Sequence, residues 1–262
     1  MNYLVLPASI YNGLNDGMKK IALIPGRMGS TRFPGKLLAQ INGKSVILRT
    51  YESALQTGLF DDVAVVCDGP EIFEEITRNG GKAIISKMEH ESGSDRIAEA
   101  VKDMDADVVV NVQGDAPFVG RDSLAALLAV FEGEAGKEVK VASLMMELKE
   151  PEFINNPNFV KVVVDRNNNS LLFSRLPIPF ARDPHTYVVH YKHIGVYAYR
   201  KATLLEFTTW PITPLEAAEK IECLRYLEYG IPLKMVPTVY DGVEVDAPED
   251  IGRAIEYLSS KQ

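Results

Sequence analysis

The feature that most constrains the fold of this chain is a repeated order of short apolar run, loop and amphipathic helix. Ile21-Ala22-Leu23-Ile24 is the first run. Val46 to Leu55 then places Val46, Ile47, Tyr51, Ala54 and Leu55 near helical spacing. Val63 to Cys67 is the second run and Pro70 to Arg78 the second helix, with Gly80-Gly81 past its C-terminus. Ala83-Ile84-Ile85 is a third run, and Ser94 to Asp103 a third helix that Ser94 or Gly93 would cap. Val108 to Val112 is the fourth and strongest run. Apolar runs of this length without alternation suit strands covered on both faces. Strands that alternate with helices imply parallel pairing through right-handed crossovers.

The pattern changes after residue 135. Val139 to Met145, Val160 to Val164, Leu171 to Arg175 and Val188 to Tyr199 read as strands, with Asn167-Asn168-Asn169 turning a hairpin. Pro177, Pro179 and Pro184 mark a loop. Helices are predicted around Ala202 to Phe207 and from Pro214 to Tyr229, the latter closed by Gly230. A last strand over Leu233 to Val239 precedes a helix over Pro248 to Leu258. The expected fold is α/β, a single domain over 18–262. It has a Rossmann-like core with a mostly parallel central sheet (18–135), a smaller, more antiparallel subdomain (136–200) and C-terminal helices completing the site (201–262).

Charge and cysteine content narrow the function. The chain has 28 Lys+Arg against 36 Asp+Glu, a net charge of −8, which argues against broad nucleic-acid binding. Two cysteines, Cys67 and Cys223, build no disulfide scaffold and fit a reducing, cytoplasmic setting. No apolar stretch reaches membrane-spanning length, and Met1 to Ile10 lacks the basic leader of a signal peptide. Met18-Lys19-Lys20 opens directly into the first strand. Met1 and Met18 are therefore both open as the native start, with residues 1–17 an extension in the second case.

The loop after the first strand is the most informative segment. It reads Pro25-Gly26-Arg27-Met28-Gly29-Ser30-Thr31-Arg32-Phe33-Pro34-Gly35-Lys36. Ligands of open α/β sheets bind at the carboxyl ends of strands. Gly26, Gly29 and Gly35 permit positive φ and close backbone approach, while Arg27, Arg32 and Lys36 offer donors to phosphate oxygens. The loop is neither a Walker A motif nor a Gly-x-Gly-x-x-Gly fingerprint. A solvated basic surface loop is the bland alternative. Elsewhere, Asp115 follows the fourth strand and could be a turn residue. Asp246-x-x-Glu249 could be a capping box. The scattered histidines and cysteines, without ligand spacing, argue against zinc.

The Arg-x-x-Ser-Thr-Arg-x-Pro-Gly-Lys loop resembles the nucleotide loop of sugar nucleotidyltransferases, most of all the CMP-Kdo synthetases (3-deoxy-manno-octulosonate cytidylyltransferases). The resemblance runs from about Ile21 to Tyr257. Its blocks are Gly80-Gly81, His90-Glu91-Ser92-Gly93-Ser94-Asp95-Arg96, Asn111-Val112-Gln113-Gly114-Asp115, Asn156-Pro157-Asn158-Phe159-Val160-Lys161, Phe173-Ser174-Arg175, His193-Ile194-Gly195-Val196-Tyr197 and Val245-Asp246-Ala247-Pro248-Glu249-Asp250. The resemblance implies transfer of CMP from CTP to the anomeric hydroxyl of Kdo. Gly26, Arg27, Gly29, Ser30 and Lys36 would hold the triphosphate, and Ser92, Gly93 and Arg96 would line the base. Asp115 and Asp246 would bind Mg²⁺, and Gln113, Arg175, His193, Tyr197 and Glu222 would contact the sugar acid. Arg27, Lys36, Asp115 and Asp246 are the catalytic set. Three of the sugar-side residues also have a structural alternative: Arg175 in a surface ion pair, His193 as a bonded core histidine, Tyr197 as packing. The resemblance further implies a homodimer through the antiparallel half and a cytoplasmic step in lipopolysaccharide biosynthesis.

Four positions depart from the family pattern. Ala116 stands for the usual Glu, Cys223 for Gln, Ala247 for Thr and Gly26 for Ala. Cys223 falls on the sugar side, which leaves amino-Kdo or another ulosonic acid as an alternative acceptor. A non-catalytic nucleotide-binding relative is the alternative of a different class.

Overall fold

A computed structural model describes residues 17–30, 32–183, 185–240 and 242–261. The extension at 1–17 lies outside the described residues except for Gly17, and so do Thr31 of the basic loop and Pro184. In chain order the first half contains β1 (Lys20–Gly26), a 3₁₀ turn (Lys36–Leu38), β2 (Gln40–Ile41), β3 (Lys44–Ser45) and α1 (Val46–Gln56). These are followed by β4 (Asp62–Cys67), α2 (Pro70–Arg78), β5 (Ala83–Ile85), α3 (Gly93–Val101) and β6 (Val108–Asn111). Then come α4 (Arg121–Ala129), α5 (Gly133–Gly136), β7 (Val141–Leu148), α6 (Pro151–Asn155), β8 (Lys161–Val164) and β9 (Ser170–Ser174). The chain continues with β10 (His190–Arg200), α7 (Lys201–Phe207), α8 (Pro214–Glu219), α9 (Leu224–Glu228), β11 (Lys234–Pro237) and α10 (Asp250–Ser260).

The main sheet runs β11-β7-β10-β6-β1-β4-β5, with the β8–β9 hairpin branching from β10. β1 pairs in parallel with β4 and with β6, and β4 in parallel with β5. Successive β1 residues explain the unalternating apolar run. Ala22 and Ile24 pack into the core on one face, Ile21 and Leu23 into the core on the other.

The expected antiparallel half extends the same sheet. β10 is antiparallel to both β6 and β7, while β11 is parallel to β7. Antiparallel character is thus concentrated in β10 and the β8–β9 hairpin. The strand order reverses between β1 and β6, which opens a crevice at their carboxyl ends. The basic loop leaves β1 at that point, and Gln113-Gly114-Asp115 leaves β6 there.

Two local readings are corrected. The helix expected over Pro214 to Tyr229 is two short helices, because Lys220 adopts a left-handed conformation with φ 54°. That break turns Ile221 and Glu222 inward. The cap of α3 is Ser92, whose hydroxyl accepts from the Asp95 amide, and neither Ser94 nor Gly93.

Candidate active site

The loop after β1 is folded back on itself and pinned to its neighbours. Gly35 takes φ 69°, the conformation glycine favours, and its amide donates to Met28 O at 3.4 Å. The Met28 amide donates to Asp68 Oδ1 at 3.3 Å, just past β4. Gly26 and Gly29 do not use positive φ, contrary to the expectation for this loop. Gly114 is required for a different reason. A Cβ there would lie 2.7 Å from the Pro25 carbonyl oxygen, so only glycine lets the β6 loop pass beneath the β1 loop.

Two cavities meet at this crevice. One, of 690 Å³, is lined by Arg27, Gly29, Ser30, Arg32 and Lys36 of the loop, by His90 to Gly93 and Arg96, and by Gln113 to Asp115. The other, of 280 Å³, is lined by residues including Gln113, Asp115, Lys192, His193, Tyr197, Lys220, Glu222 and Glu244. Gln113 and Asp115 belong to both walls. Every nucleotide-side residue expected from sequence lines the larger cavity except Gly26. Gly26 lies buried beneath it, where its carbonyl accepts from Arg96 Nη1 at 3.0 Å.

Asp115 and Asp246 converge on one cation. Lys36 Nζ lies 2.5 Å from Asp115 Oδ2 and 3.2 Å from Asp246 Oδ1. Arg32 Nη2 also reaches Asp246 Oδ1, at 3.2 Å. The two aspartates are brought together by the Val245 amide, which donates to Asp115 O at 2.9 Å. The capping-box alternative for Asp246 fails. Asp250 Oδ2 instead accepts the amides of Asp246 (2.7 Å) and Ala247 (2.8 Å), which leaves the Asp246 carboxylate facing Lys36. Burial alone would lower the Lys36 ammonium, but Asp115 and Asp246 outweigh it and hold its pKa above the ordinary lysine value.

Of the residues expected on the sugar side, Gln113, His193, Tyr197 and Glu222 line the smaller cavity, and Arg175 does not. Arg175 Nε donates to Glu219 O (2.7 Å), Nη1 to Pro157 O (3.0 Å) and Nη2 to Lys220 O (3.3 Å). In the ligand-free chain the Arg175 guanidinium thus braces the segments beside the smaller cavity. Lys161, fully buried, braces the same wall by donating to the carbonyls of Asn156, Phe159 and Arg175. Cys223 is buried outside the lining of the smaller cavity, next in the chain to Glu222, which lines it.

Glu244 was not legible as a site residue. Burial raises its carboxyl, the Lys192 ammonium opposes that rise, and Asp115 and Asp246 reinforce it. The sequence did hold a signal, since Glu244 and Asp246 are two residues apart and would share a side of an extended segment. Burial also raises the Glu222 carboxyl, which accepts from Ser94 Oγ at 2.5 Å.

His193 is pushed down to about 3, by burial first and then by Lys192. It is neutral in the native state at physiological pH. The unfolded chain binds more protons below its ordinary value near 6.5, so His193 contributes stability above that pH. This contribution is lost as the pH falls from 6.5 toward 3. Replacing His193 with Gln is expected to flatten the acid limb of a thermal-unfolding profile in that window. An unchanged limb would contradict the assignment.

Residues 21–236 match the family model described as cytidylyltransferase, and the chain is a member of that class of nucleotidyltransferase. The 3-deoxy-manno-octulosonate cytidylyltransferase of Christiangramia forsetii is 55% identical over 239 residues, covering 91% of this chain and 96% of the relative. A solved CMP:2-keto-3-deoxy-manno-octonic acid synthetase complexed with CTP superposes with TM-score 0.87 at 34% identity, covering 93% of this chain and all of the other. The 8-amino-3,8-dideoxy-manno-octulosonate cytidylyltransferase of Shewanella pealeana is 44% identical over 237 residues, covering 89% of this chain and 96% of the relative. The chain belongs to the 3-deoxy-manno-octulosonate cytidylyltransferase family of sugar nucleotidyltransferases.

Proposed function

We propose that this protein is a Mg²⁺-dependent enzyme that transfers CMP from CTP to the anomeric hydroxyl of 3-deoxy-manno-octulosonate. The observation that carries this reading is the pair of cavities sharing Gln113 and Asp115, with Lys36, Asp115 and Asp246 clustered at their junction. The triphosphate would lie along the β1 loop, and the sugar acid would fill the smaller cavity. The anomeric oxygen attacks the α-phosphorus, the bond to the β-phosphate breaks, and pyrophosphate leaves. Arg27 and Lys36 offset negative charge on the departing phosphates. Arg96 holds the end of β1 through Gly26 O, and Ser92 and Gly93 form the wall beside the base. Lys192 and Lys220 are the cations lining the sugar cavity and would meet the substrate carboxylate, while Arg175 steadies the wall around them.

The two carboxylates fit a hard divalent cation. They already point at one positive charge, and Mg²⁺ is usually held by one or two carboxylates together with substrate phosphates and water. Among the described residues no third His, Cys, Asp or Glu joins them in a metal-binding group. When bound, Mg²⁺ supplies Lewis acidity that favours the ionised hydroxyl and offsets phosphate charge. No side-chain base is assigned.

An acceptor carrying an amine, such as 8-amino-3,8-dideoxy-manno-octulosonate, is a second reading. Glu222 and Glu244 favour it, since either carboxylate would pair with an ammonium on the sugar. A panel of Kdo, its 8-amino analogue and a nine-carbon sugar acid, each with CTP or UTP, separates these readings by pyrophosphate release. The expected result is turnover with CTP and Kdo at least about tenfold above any other pair, a preference of about 1.4 kcal/mol. Preference for the amino sugar would replace the acceptor, and preference for UTP would replace the nucleotide.

The same reading includes a homodimer in the cytoplasm that supplies lipopolysaccharide biosynthesis. It is supported by the exposed apolar side chains Leu171, Leu172, Leu176, Phe180 and Tyr187 in and after the β8–β9 hairpin. No helix among the described residues is long and apolar enough to cross a membrane. A monomeric mass by light scattering would remove the dimer from the proposal.

A further inference from the structure

β10 bulges against β7 beside the sugar cavity. Ile194 is opposite Leu144, but the next pair along is Tyr197 with Ser143, so Gly195 and Val196 have no partner residue on β7. Ser143, fully buried, fills the space below the bulge. Its Oγ lies 3.0 Å from Ile194 O, 2.9 Å from Val196 O and 2.9 Å from His193 Nε2.

Proton bookkeeping fixes the direction of these bonds. A serine hydroxyl carries one proton, and the two carbonyls can only accept. If Ser143 gave its proton to the imidazole, both carbonyl oxygens would face Oγ at about 3 Å with no proton between, a repulsive arrangement. The hydroxyl therefore donates toward the carbonyls and accepts from Nε2–H. His193 lines the cavity, and its Nδ1 makes no hydrogen bond to another described residue and is not fully buried.

We propose that Ser143 is a positioning residue that fixes His193 as the Nε2–H tautomer, so that His193 presents an acceptor at Nδ1 and reads a hydroxyl of the sugar acid, not its carboxylate. This inference rests on the sugar-acid reading of the smaller cavity. Burial supports it, because an imidazole kept neutral presents one donor and one acceptor. The consequence is a division of labour along β10. Lys192 meets negative charge on the substrate, and its neighbour His193 meets a hydroxyl proton.

The test is ¹⁵N NMR of the imidazole in the ligand-free wild-type protein, combined with kinetics of Ser143→Ala. In the wild type, the nitrogen that couples to both ring carbon protons (Nε2) is expected to be the protonated one. In Ser143→Ala the signature should move toward a mixture of tautomers. The KM for the sugar acid should rise about tenfold, as expected for one lost hydrogen bond, with the KM for CTP unchanged. A protonated Nδ1 in the wild type would overturn the proposal, and it needs no variant to fold. A Ser143→Ala protein with wild-type nitrogen signature and wild-type sugar KM would overturn it equally. The NMR result does not depend on turnover, so a wild-type protein inactive with every sugar acid would reject the proposed function separately.

Discussion

Asp246→Asn is expected to lower pyrophosphate release by about a thousandfold or more, at the upper end of what removing one electrostatic catalytic group costs. The substitution keeps the shape of the side chain and removes its charge. Its effect on stability is expected to be small, because the turn before α10 is held by Asp250 and not by the Asp246 side chain. Among the described residues, the Asp246 carboxylate bonds only to Lys36 and Arg32, and it is partly open to water. Loss of activity with an unchanged melting temperature is the expected pattern. Retained activity would reject the metal assignment. Unfolding would show that Asp246 is needed for structure.

Lys36→Met is expected to be nearly as damaging, lowering kcat/KM for CTP by about 10²–10³-fold. It differs from Asp246→Asn in its effect on the free protein. Removing the ammonium leaves Asp115 and Asp246 facing each other without Lys36, and breaking a shielded ion pair by deleting one partner is destabilising. Part of that cost is relieved by water at Asp246. The melting temperature in EDTA should therefore fall below that of the wild type, and added Mg²⁺ should raise it by more than in the wild type. Equal Mg²⁺ responses in the two proteins would mean that the carboxylates do not share a cation site. The raised pKa of Lys36 adds a pH expectation. Its stabilising pairing is fully present below the ordinary lysine value of 10.5 and is lost only as the pH rises through the higher native value. No loss of stability between pH 7 and 9 should trace to this residue.

Much of the parallel half was legible because local pattern and tertiary environment agree there. Apolar runs such as Val63 to Cys67 are buried on both sides, and glycines mark where helices stop. The break in the helix after Glu219 was not legible, since Lys220 occupies a left-handed conformation that its residue type does not signal. Glu222 owes its place in the wall of the smaller cavity to that turn. The continuity of the sheet through β10 was also hidden, because strand patterning reveals alternation but not which neighbour a strand chooses.

The site shows the same division. The basic loop suggests the proposed phosphate site through residue type alone. The meeting of Asp115 with Asp246 depends on one backbone hydrogen bond from Val245, which no spacing rule contains. Arg175 shows what residue type leaves out. A guanidinium suits a substrate carboxylate, yet in the ligand-free chain it is held by the carbonyl oxygens of Pro157, Glu219 and Lys220, which sequence does not reveal. The acidic net charge of −8 is likewise no obstacle to two anionic substrates. Arg27, Arg32, Lys36 and Arg96 line the larger cavity and Lys192 and Lys220 the smaller one, and two of the acidic residues are the proposed metal ligands.

In the proposed reaction CTP and Kdo are joined where the two cavities meet. The most direct measurement is ³¹P NMR of purified protein incubated with CTP, Kdo and Mg²⁺. The expected result is loss of the triphosphate resonances, with matched growth of a CMP-sugar phosphodiester signal and of pyrophosphate. Folded protein that binds CTP by calorimetry, yet forms neither product, would contradict the account and leave a nucleotide-binding protein without the transferase reaction.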